Sequence, residues 1–325
     1  MKKRVLSLIM ITICILCSFT GCKKEEKNNN RIVLNEVAHS IFYAPQYVAI
    51  ELGYFKDEGI ELTLETGFGA DKTMTALISG NADIGFMGSE ASIYAYVEGA
   101  DDYAVNFAGL TQRAGNFLVS RTPIDNFSWD MIKGKNVIGG RRGGMPQMVL
   151  EYILKKNGID PAKDVNIEQN IDFGLTAGAF TGDKKYDFTV EFEPGATALE
   201  KENAGYVVAS LGVDSGYVPY TSYCAKKSYV EKNKDLIINF NKAINRGLQY
   251  VATHSSEEIA KVIAPQFSDT DIETIAQIVE RYKKQDTWKE NTFFKKEEFD
   301  LLQDILIEAG ELKEKTDYNK LVVNP

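Results

Sequence analysis

Two acids, Glu191 and Glu193, stand near the end of a predicted strand, YDFTVEFE (186–193), directly before Pro194. Side chains two residues apart on a strand point to the same face, so the two carboxyl groups are expected to lie together. A carboxyl group can accept hydrogen bonds from an amino group or a ring N–H of a ligand. Each acid is therefore a candidate ligand contact, and the alternative is a solvated carboxylate or one paired with a lysine.

Other reactive side chains are few. The only histidines, His39 and His254, are far apart and belong to no recognised metal-binding pattern, so neither a metal site nor a cofactor is predicted. Cys224 is the single cysteine in the part expected to fold, which leaves it without a disulfide partner. No histidine is close to it in sequence, which favours a small buried side chain over a thiol nucleophile.

The first thirty residues predict export and anchoring. Residues 1–4 are basic, residues 5–19 form an apolar run too short for a usual membrane span, and the two indicate a signal peptide over 1–21. The string FTGC, ending at Cys22, resembles the lipobox of bacterial lipoproteins, which implies lipidation of Cys22. Residues 22–30 are then a flexible, polar tether. The expected location is the outer face of the cytoplasmic membrane, and the alternative is an uncleaved signal anchor.

Charge and size narrow the remaining possibilities. The formal net charge of −9 becomes −12 once the three basic residues of the leader are removed, which argues against nucleic acid as a partner. A composition of 44% hydrophobic and 26% charged residues is that of a folded protein. About 300 residues remain after the leader, a size at which one core usually divides into two domains.

Apolar runs alternate with amphipathic segments that end at glycine, which predicts an α/β protein. Two lobes are expected, one from residues 31–120 and 221–325 and the other from 121–220, with a cleft between them. From about Thr221 the chain is expected to be mostly helical, and its helices should return to the first lobe. Strands are predicted at 31–37, 60–65, 82–87, 103–110, 116–120, 136–140, 165–169, 186–193 and 205–211, and helices at 44–52, 71–79, 91–98, 146–158, 235–254, 256–264, 269–285 and 295–312.

Ligands of open α/β sheets bind beyond the carboxyl ends of the strands, where loops lead into helices. The predicted strand ends therefore mark five segments that should meet at the cleft: Asn35–Tyr43, Gly67–Lys72, Gly88–Glu90, Gly139–Met145 and Glu191–Glu193. The segment GGRRGGMP (139–146) precedes a helix, and its free backbone N–H groups would suit an anion.

Residues 44–91 carry a family resemblance. Gly53, Tyr54 and Phe55 after a helix, and the later run GNADIG (80–85), resemble the solute-binding proteins of ABC importers in the nitrate, sulfonate, taurine and thiamine-precursor group. The resemblance implies a type II periplasmic-binding-protein fold, with two α/β lobes closing on a ligand. It also implies a monomer that works with a membrane permease and its ATPase.

The same fold includes a yeast pyrimidine synthase, and this gives the alternative of an exported enzyme. Aligned with that enzyme, Met87 stands where the enzyme has its cofactor-bearing lysine and Ala91 where it has its histidine. A thioether cannot form the imine that a lysine forms, so a binding protein is expected rather than an enzyme.

The resemblance and the strand ends together predict a set of ligand contacts. In relatives that bind thiamine-type pyrimidines, a carboxylate is expected at the position of Glu193. The acids and aromatic rings favour a pyrimidine or related nitrogen heterocycle, whereas the glycine-rich loop and Arg141 leave a sulfonate, carboxylate or phosphate ester as the alternative. The predicted contacts are Asn35, Glu36, His39, Phe42, Tyr43, Gly69, Ala70, Gly88, Ser89, Gly143, Gly144, Met145, Glu191, Glu193 and Tyr220.

Overall fold

The computed structural model describes residues 30–172 and 174–325. The predicted signal peptide, the predicted lipidation site at Cys22 and the predicted tether up to residue 29 lie outside the described residues. Residues Ile32–Pro325 form one unit that contains two β-sheets and the helices packed on them.

Ten strands in the described part of the chain form two sheets of five strands each. The strands are β1 (Arg31–Glu36), β2 (Glu61–Thr66), β3 (Ile84–Gly88), β4 (Ala104–Thr111), β5 (Phe117–Ser120), β6 (Asn136–Ile138), β7 (Asn166–Glu168), β8 (Phe188–Glu191), β9 (Tyr206–Ser210) and β10 (Thr221–Lys226).

The first sheet has the order β2-β1-β3-β10-β4 and the second the order β7-β6-β8-β5-β9. In the first sheet β1 and β3 are parallel, with Leu34 opposite Ile84, and β10 runs antiparallel between β3 and β4. In the second sheet β6 is parallel to β7 and β8, while β5 is antiparallel to β8 and β9. The chain therefore passes between the sheets twice, from β4 to β5 and from β9 to β10.

Two features of this topology differ from the sequence prediction. The strand β5 pairs with β8 and β9, so it belongs to the second sheet, whereas the expected boundary after residue 120 places it in the first lobe. The segment after Thr221, expected to be mostly helical, begins with the strand β10 at the centre of the first sheet. Both differences arise from pairing between segments that are distant in sequence, which local patterns do not report.

Fourteen α-helices connect or cover the described strands. They are α1 (Ala44–Glu51), α2 (Tyr54–Asp57), α3 (Ala70–Ser79), α4 (Ala91–Val97), α5 (Met145–Lys156), α6 (Thr176–Gly182), α7 (Gly195–Lys201), α8 (Leu211–Ser215), α9 (Lys227–Lys232), α10 (Lys234–Thr253), α11 (Ser256–Ile263), α12 (Ile272–Lys284), α13 (Lys296–Ala309) and α14 (Tyr318–Leu321). Short 3-10 helices occupy Ile41–Tyr43, Trp129–Ile132 and Ala264–Gln266.

The longest helix, α10, packs on α1 through an apolar face that includes Phe240, Ile244 and Leu248. The approach is close at Gly247, where an added Cβ would lie 2.1 Å from the carbonyl oxygen of Pro45. Only glycine permits this distance between the two helices. The packing of α10 fixes α1, and with it the loop after β1 that reaches the cleft.

The C-terminal helices divide between the two sheets. Helices α10 and α14 contact β4 of the first sheet, and α11 packs on α1. Helix α13, however, packs on α5 beside the second sheet, and α12 reaches both the 3-10 helix Ile41–Tyr43 and the residues after β8. These helices therefore hold the two sheets to each other as well as covering the first.

Candidate functional site

A cavity of about 320 Å³ lies between the two sheets, at the carboxyl ends of the parallel strands β1, β3, β6 and β8. Its volume is at the lower end of the range of about 300 to 1,000 Å³ found for small-molecule sites. Most of its lining is apolar. Of the fifteen predicted ligand contacts, ten line it: His39, Tyr43, Gly69, Ala70, Gly88, Gly144, Met145, Glu191, Glu193 and Tyr220.

Glu36 does not line the cavity, contrary to the prediction. Its side chain is fully buried, and its Oε2 accepts hydrogen bonds from Gln46 Nε2 at 2.7 Å and from the Tyr47 hydroxyl at 2.9 Å. Its Oε1 accepts from the Thr66 hydroxyl at 3.2 Å and lies 2.8 Å from His39 Nδ1. The carboxylate is fully used inside the protein and is not available to a ligand.

His39 forms part of the cavity wall and carries a positive charge. Its Nδ1 faces the carboxylate of Glu36 at 2.8 Å, and its Nε2 faces the carbonyl oxygen of Gln266 at 2.8 Å. Both partners accept hydrogen bonds, so both ring nitrogens must carry a proton. The hydrogen bond to Glu36 is the largest cause of the raised pKa of His39, and burial opposes it. The imidazolium thus ties the loop after β1 to the C-terminal part of the chain.

Four further predicted contacts also lie outside the cavity lining. Asn35 and Ser89 are buried, and neither Asn35 Oδ1 nor Ser89 Oγ has a hydrogen-bond partner among the described residues. Phe42 is fully buried behind the wall, where its ring lies 5.7 Å from that of Tyr220. Gly143 precedes α5 and donates its N–H to a side chain within that helix rather than to the cavity. These residues shape the wall from behind.

Glu191 is a cavity carboxyl held by two hydroxyl groups. Its Oε1 accepts a hydrogen bond from Thr189 at 2.6 Å, and its Oε2 accepts one from Thr176 at 2.9 Å. Burial raises its pKa to about 7, against the lowering effect of the two hydrogen bonds. It therefore exists in both protonation states near neutral pH and offers a ligand a hydrogen-bond acceptor or donor.

Glu193 lines the cavity, but its carboxylate is committed to other groups. Its Oε1 pairs with Arg281 Nη1 at 2.5 Å and accepts from the Thr197 hydroxyl at 3.0 Å, while its Oε2 accepts the backbone N–H of Thr197 at 2.9 Å. Burial raises the pKa of Glu193, and the charge of Arg281 opposes the rise. The side chain joins α7 to α12, so the predicted recognition of a ligand by this carboxylate is not supported.

Glu90 is a cavity residue that the predicted contacts omitted, although the segment Gly88–Glu90 was recognised as a strand end. Only 2% of its surface is exposed, and its Oε2 has no hydrogen-bond partner among the described residues. Burial raises its pKa to about 8, while the N–H of Met145 and the charge of Arg141 act in the opposite direction. The available sequence signal was an acid shortly after a buried strand. The same position is typical of a helix N-cap, but the side chain of Glu90 makes no capping hydrogen bond.

Gly88 explains the position of the Glu90 carboxyl. A Cβ placed on Gly88 would lie 2.2 Å from Glu90 Oε2, so the carboxyl group occupies the space where any other residue would have a side chain. Gly88 was predicted to touch the ligand, and it lines the cavity, where it also has a second role. The glycine makes room for a neighbouring acid in the cavity wall.

The N-terminus of α5 is satisfied by the protein itself, whereas the sequence suggested N–H groups free to bind an anion. The N–H of Gly143 donates to Gln147 Oε1 at 2.9 Å, and the N–H of Gly144 donates to the carbonyl of Arg141 at 3.1 Å. The N–H of Met145, the first helical residue, lies near the Glu90 carboxyl. A carboxyl group of the chain thus stands where an external anion was expected.

Three contacts join the first-sheet and second-sheet elements around the cavity. The Ser40 hydroxyl donates to the carbonyl oxygen of Glu193 at 2.8 Å, and the Tyr94 hydroxyl donates to that of Gly143 at 3.3 Å. At the rim, Arg141 forms an ion pair with Asp71 at 3.1 Å, and both side chains are about half exposed. These contacts link elements of the two sheets next to the cavity.

Two sulfur side chains that the sequence singled out, Cys224 and Met87, are buried. The thiol of Cys224 is buried, and its pKa is raised to about 12, so it remains protonated at neutral pH. Met87 is buried beside it in a small apolar cluster. No group of three or more His, Cys, Asp or Glu side chains that could hold a metal ion occurs among the described residues.

Comparison with known proteins gives both a family match and a fold match. A family model described as NMT1/THI5 like matches residues 41–258. The chain is 46% identical to YtlA of Bacillus subtilis (strain 168) over 311 residues, covering 96% of this chain and 92% of YtlA.

Two solved structures show the same fold at low identity. One is the alkanesulfonate-binding protein SsuA from Xanthomonas axonopodis pv. citri, bound to MOPS, with a TM-score of 0.74, 14% identity and coverage of 91% of this chain and 99% of that chain. The other is the periplasmic nitrate-binding protein NrtA from Synechocystis PCC 6803, with a TM-score of 0.74, 15% identity and coverage of 90% and 86%. The fold is the type II periplasmic-binding-protein fold, as predicted.

Proposed function

The chain belongs to the NMT1/THI5-like family, and we propose that it is the substrate-binding component of an ABC importer, capturing a small organic solute that carries N–H donors. One observation supports this solute most directly. Two carboxyl groups, Glu90 beside the first sheet and Glu191 from the second, face one largely apolar cavity between the sheets. Solute capture without chemical change fits the thiol of Cys224, which is buried away from the cavity lining and protonated.

The polar groups of the cavity favour a nitrogen heterocycle such as an aminopyrimidine. Carboxyl oxygens accept hydrogen bonds from amino and ring N–H groups. The aromatic residues Tyr43 and Tyr220 line the same cavity and offer flat surfaces to a planar ring. A sulfonate or carboxylate placed there would face Glu90 and Glu191, two groups of the wrong charge when ionised.

We propose that the solute is trapped by closure of two lobes. The lobes correspond to residues 31–120 with 221–325 and to residues 121–220, with β5 transferred to the second lobe because of its pairing. Contacts from Ser40 to Glu193 and from Asp71 to Arg141 form across the cleft only when it is closed. A solute touching both walls adds to these contacts and shifts the population toward the closed state.

A second solute class, the sulfonates and other anions, is favoured by one observation. Arg141 lines the cavity, and the fold neighbours described above are named for alkanesulfonate and nitrate. Arg141 is paired with Asp71 in the closed structure, so it would have to leave that partner to bind an anion. Anion binding is therefore the weaker alternative.

Thermal melting of the purified protein with a solute panel tests the proposal. The panel contains 4-aminopyrimidine and thiamine against taurine, MOPS and nitrate, and a solute at a hundredfold excess over its Kd stabilises by about 2.7 kcal/mol. Stabilisation by an aminopyrimidine, with recovery of the unchanged compound, supports the proposal. Stabilisation by the anions alone contradicts the solute class, and conversion of any bound compound contradicts a binding protein.

The proposed location is the outer face of the cytoplasmic membrane, held by a lipid on Cys22, where a monomer would meet its permease and ATPase. Among the described residues, none of the helices has the length and apolar character needed to cross a bilayer. The substitution Cys22→Ala is expected to release the protein from membranes, because the proposed lipid on Cys22 supplies its membrane affinity. Retention of the variant on membranes after a salt wash would contradict lipid anchoring.

A further inference from the structure

The carboxyl group of Glu90 is the part of the cavity wall that most directly indicates a ligand. It is almost completely buried, it lines the cavity, and its Oε2 has no partner among the described residues. Its position over Gly88 leaves it no free space on the strand side. Buried polar atoms in folded proteins nearly always have partners, so an unpaired oxygen at a cavity wall indicates a partner that enters the cavity.

Several other titratable or charged groups face Glu90. Burial raises the pKa of each tyrosine among them and raises the pKa of the thiol to about 12, so these groups keep their protons at neutral pH. The arginine is paired with Asp71. No described lysine or arginine lies within ion-pair distance of the Glu90 carboxyl. The groups are Tyr43 of the 3-10 helix, Tyr94 of α4, Arg141 of the loop after β6, Tyr220 before β10 and Cys224 of β10.

Given the proposed function of solute capture, on which this inference rests, we propose that Glu90 selects solutes by charge and exchanges its proton for a cationic group. The solute class is an amidinium, an ammonium or a protonated amino-heterocycle. The protonated carboxyl of Glu90 releases its proton to solvent, and the resulting carboxylate accepts hydrogen bonds from the N–H groups of the cation. One positive charge enters the cavity and one leaves it.

The electrostatics of the empty cavity explain the exchange. An ionised Glu90 without a counter-charge in an apolar wall is costly, so with a pKa of about 8 the group retains its proton at neutral pH. A cation supplies the missing counter-charge and removes that cost. Glu191 differs, because both of its oxygens already accept hydrogen bonds from threonine hydroxyls. Glu90 is therefore the carboxyl whose ionisation depends most on the solute.

Isothermal titration calorimetry of the full chain tests the exchange with three probes of one shape. Benzamidine is a cation, benzamide is neutral and benzoate is an anion, and each is titrated at about pH 7 and about pH 9 in buffers of different ionisation enthalpy. If only ionised Glu90 binds the cation, the apparent Kd of benzamidine falls about tenfold over this range, whereas titration of Glu191 with a pKa of about 7 contributes only about twofold. Proton release is expected at the lower pH and little at the higher.

Variants test whether the proton released on binding of benzamidine comes from Glu90. Glu90→Gln is expected to reduce the pH effect on benzamidine to about twofold and to weaken its binding at the higher pH more than about tenfold, with benzamide affected less than about threefold. Gly88→Ala keeps the acid but displaces its carboxyl, and should have the same effect. Glu98→Gln, an exposed acid after α4, is the matched control and should behave as the wild type. His39 is unchanged in all of these variants, so any contribution from its titration cancels in the comparison.

The outcomes separate this inference from the proposed function. Preference for benzamide or benzoate, binding of benzamidine without proton release, or an unchanged pH effect in Glu90→Gln overturns charge selection while leaving solute capture intact. Failure of all three probes to bind also overturns it. Capture itself is judged separately by the melting panel and by any compound that co-purifies with the protein.

Discussion

Replacement of Glu90 by glutamine should make the unliganded protein less sensitive to pH, a prediction that requires no knowledge of the solute. The pKa of Glu90 rises from 4.5 in the unfolded chain to about 8 in the folded protein because of burial. Between these two values the folded state holds a proton that the unfolded state has lost. Stability contributed by this group is therefore complete at low pH and falls as the pH rises through that window.

The size of the effect follows from the two pKa values. Integrating the difference in bound protons between about pH 5 and pH 8 gives about 3 to 4 kcal/mol of lost unfolding free energy in the wild type. The Glu90→Gln variant lacks this loss, so its stability relative to the wild type should rise by that amount over the same range. Urea unfolding followed by circular dichroism measures it, as a difference of about 1 M in midpoint for an m-value of about 3 kcal/mol/M.

Comparison between variants removes the contribution of other groups. Glu191 also has a raised pKa and reduces stability over the same range, but it is present in both proteins and cancels. The exposed acid Glu98 serves as control, and Glu98→Gln should show a constant difference from the wild type. If the difference for Glu90→Gln is equally constant from about pH 5 to pH 8, Glu90 ionises normally in the folded protein and the reasoning on its burial is wrong.

Three further predictions follow from the contacts around the cavity. Glu193→Gln should lower the unfolding free energy by about 2 kcal/mol, because it removes the charge of one partner in a buried ion pair with Arg281. Glu200→Gln, which changes the more exposed partner of Arg281, should lower it by less than about 1 kcal/mol; equal losses in urea unfolding would contradict this difference. Asp71→Asn should weaken solute binding by only about twofold, and by less at high salt, because its ion pair with Arg141 is exposed. A loss above about tenfold in titration calorimetry would contradict this weak contribution of the ion pair. The thiol of Cys224 should resist maleimide labelling at about pH 8 in the folded protein and react after denaturation, as mapped by mass spectrometry; rapid labelling of the native protein would show that the first sheet opens readily.

Most of the element order could be predicted from local patterns. Helix α3 ends where the sequence placed its end, because Gly80 adopts a φ of 81° that favours glycine. The buried strands β3 and β4 were recognisable as largely apolar runs. The rule that ligands bind beyond the carboxyl ends of parallel strands located the cavity, since it depends only on the order of strands, loops and helices.

Individual side chains of the site were harder to predict, because their roles depend on partners distant in sequence. Glu36 ends β1 and Glu90 lies two residues after β3. Glu36 is nevertheless enclosed by Gln46 and Tyr47, whereas Glu90 lines the cavity and its Oε2 has no partner among the described residues. Glu193 was a predicted ligand contact, but its carboxylate pairs with Arg281, 88 residues away. The sequence contains no local pattern that distinguishes these three acids.

The amino-acid sequence by itself thus determined the α/β class, most of the order of the helices and strands, and the strand ends that could form a site, because all of these follow from hydrophobic period and from glycine. Tertiary structure alone decided that β5 joins the second sheet, that β10 enters the first, and which acids retain a free oxygen at the cavity. Pairing between distant strands and burial by distant helices set these features, and both are properties of the folded chain rather than of any segment.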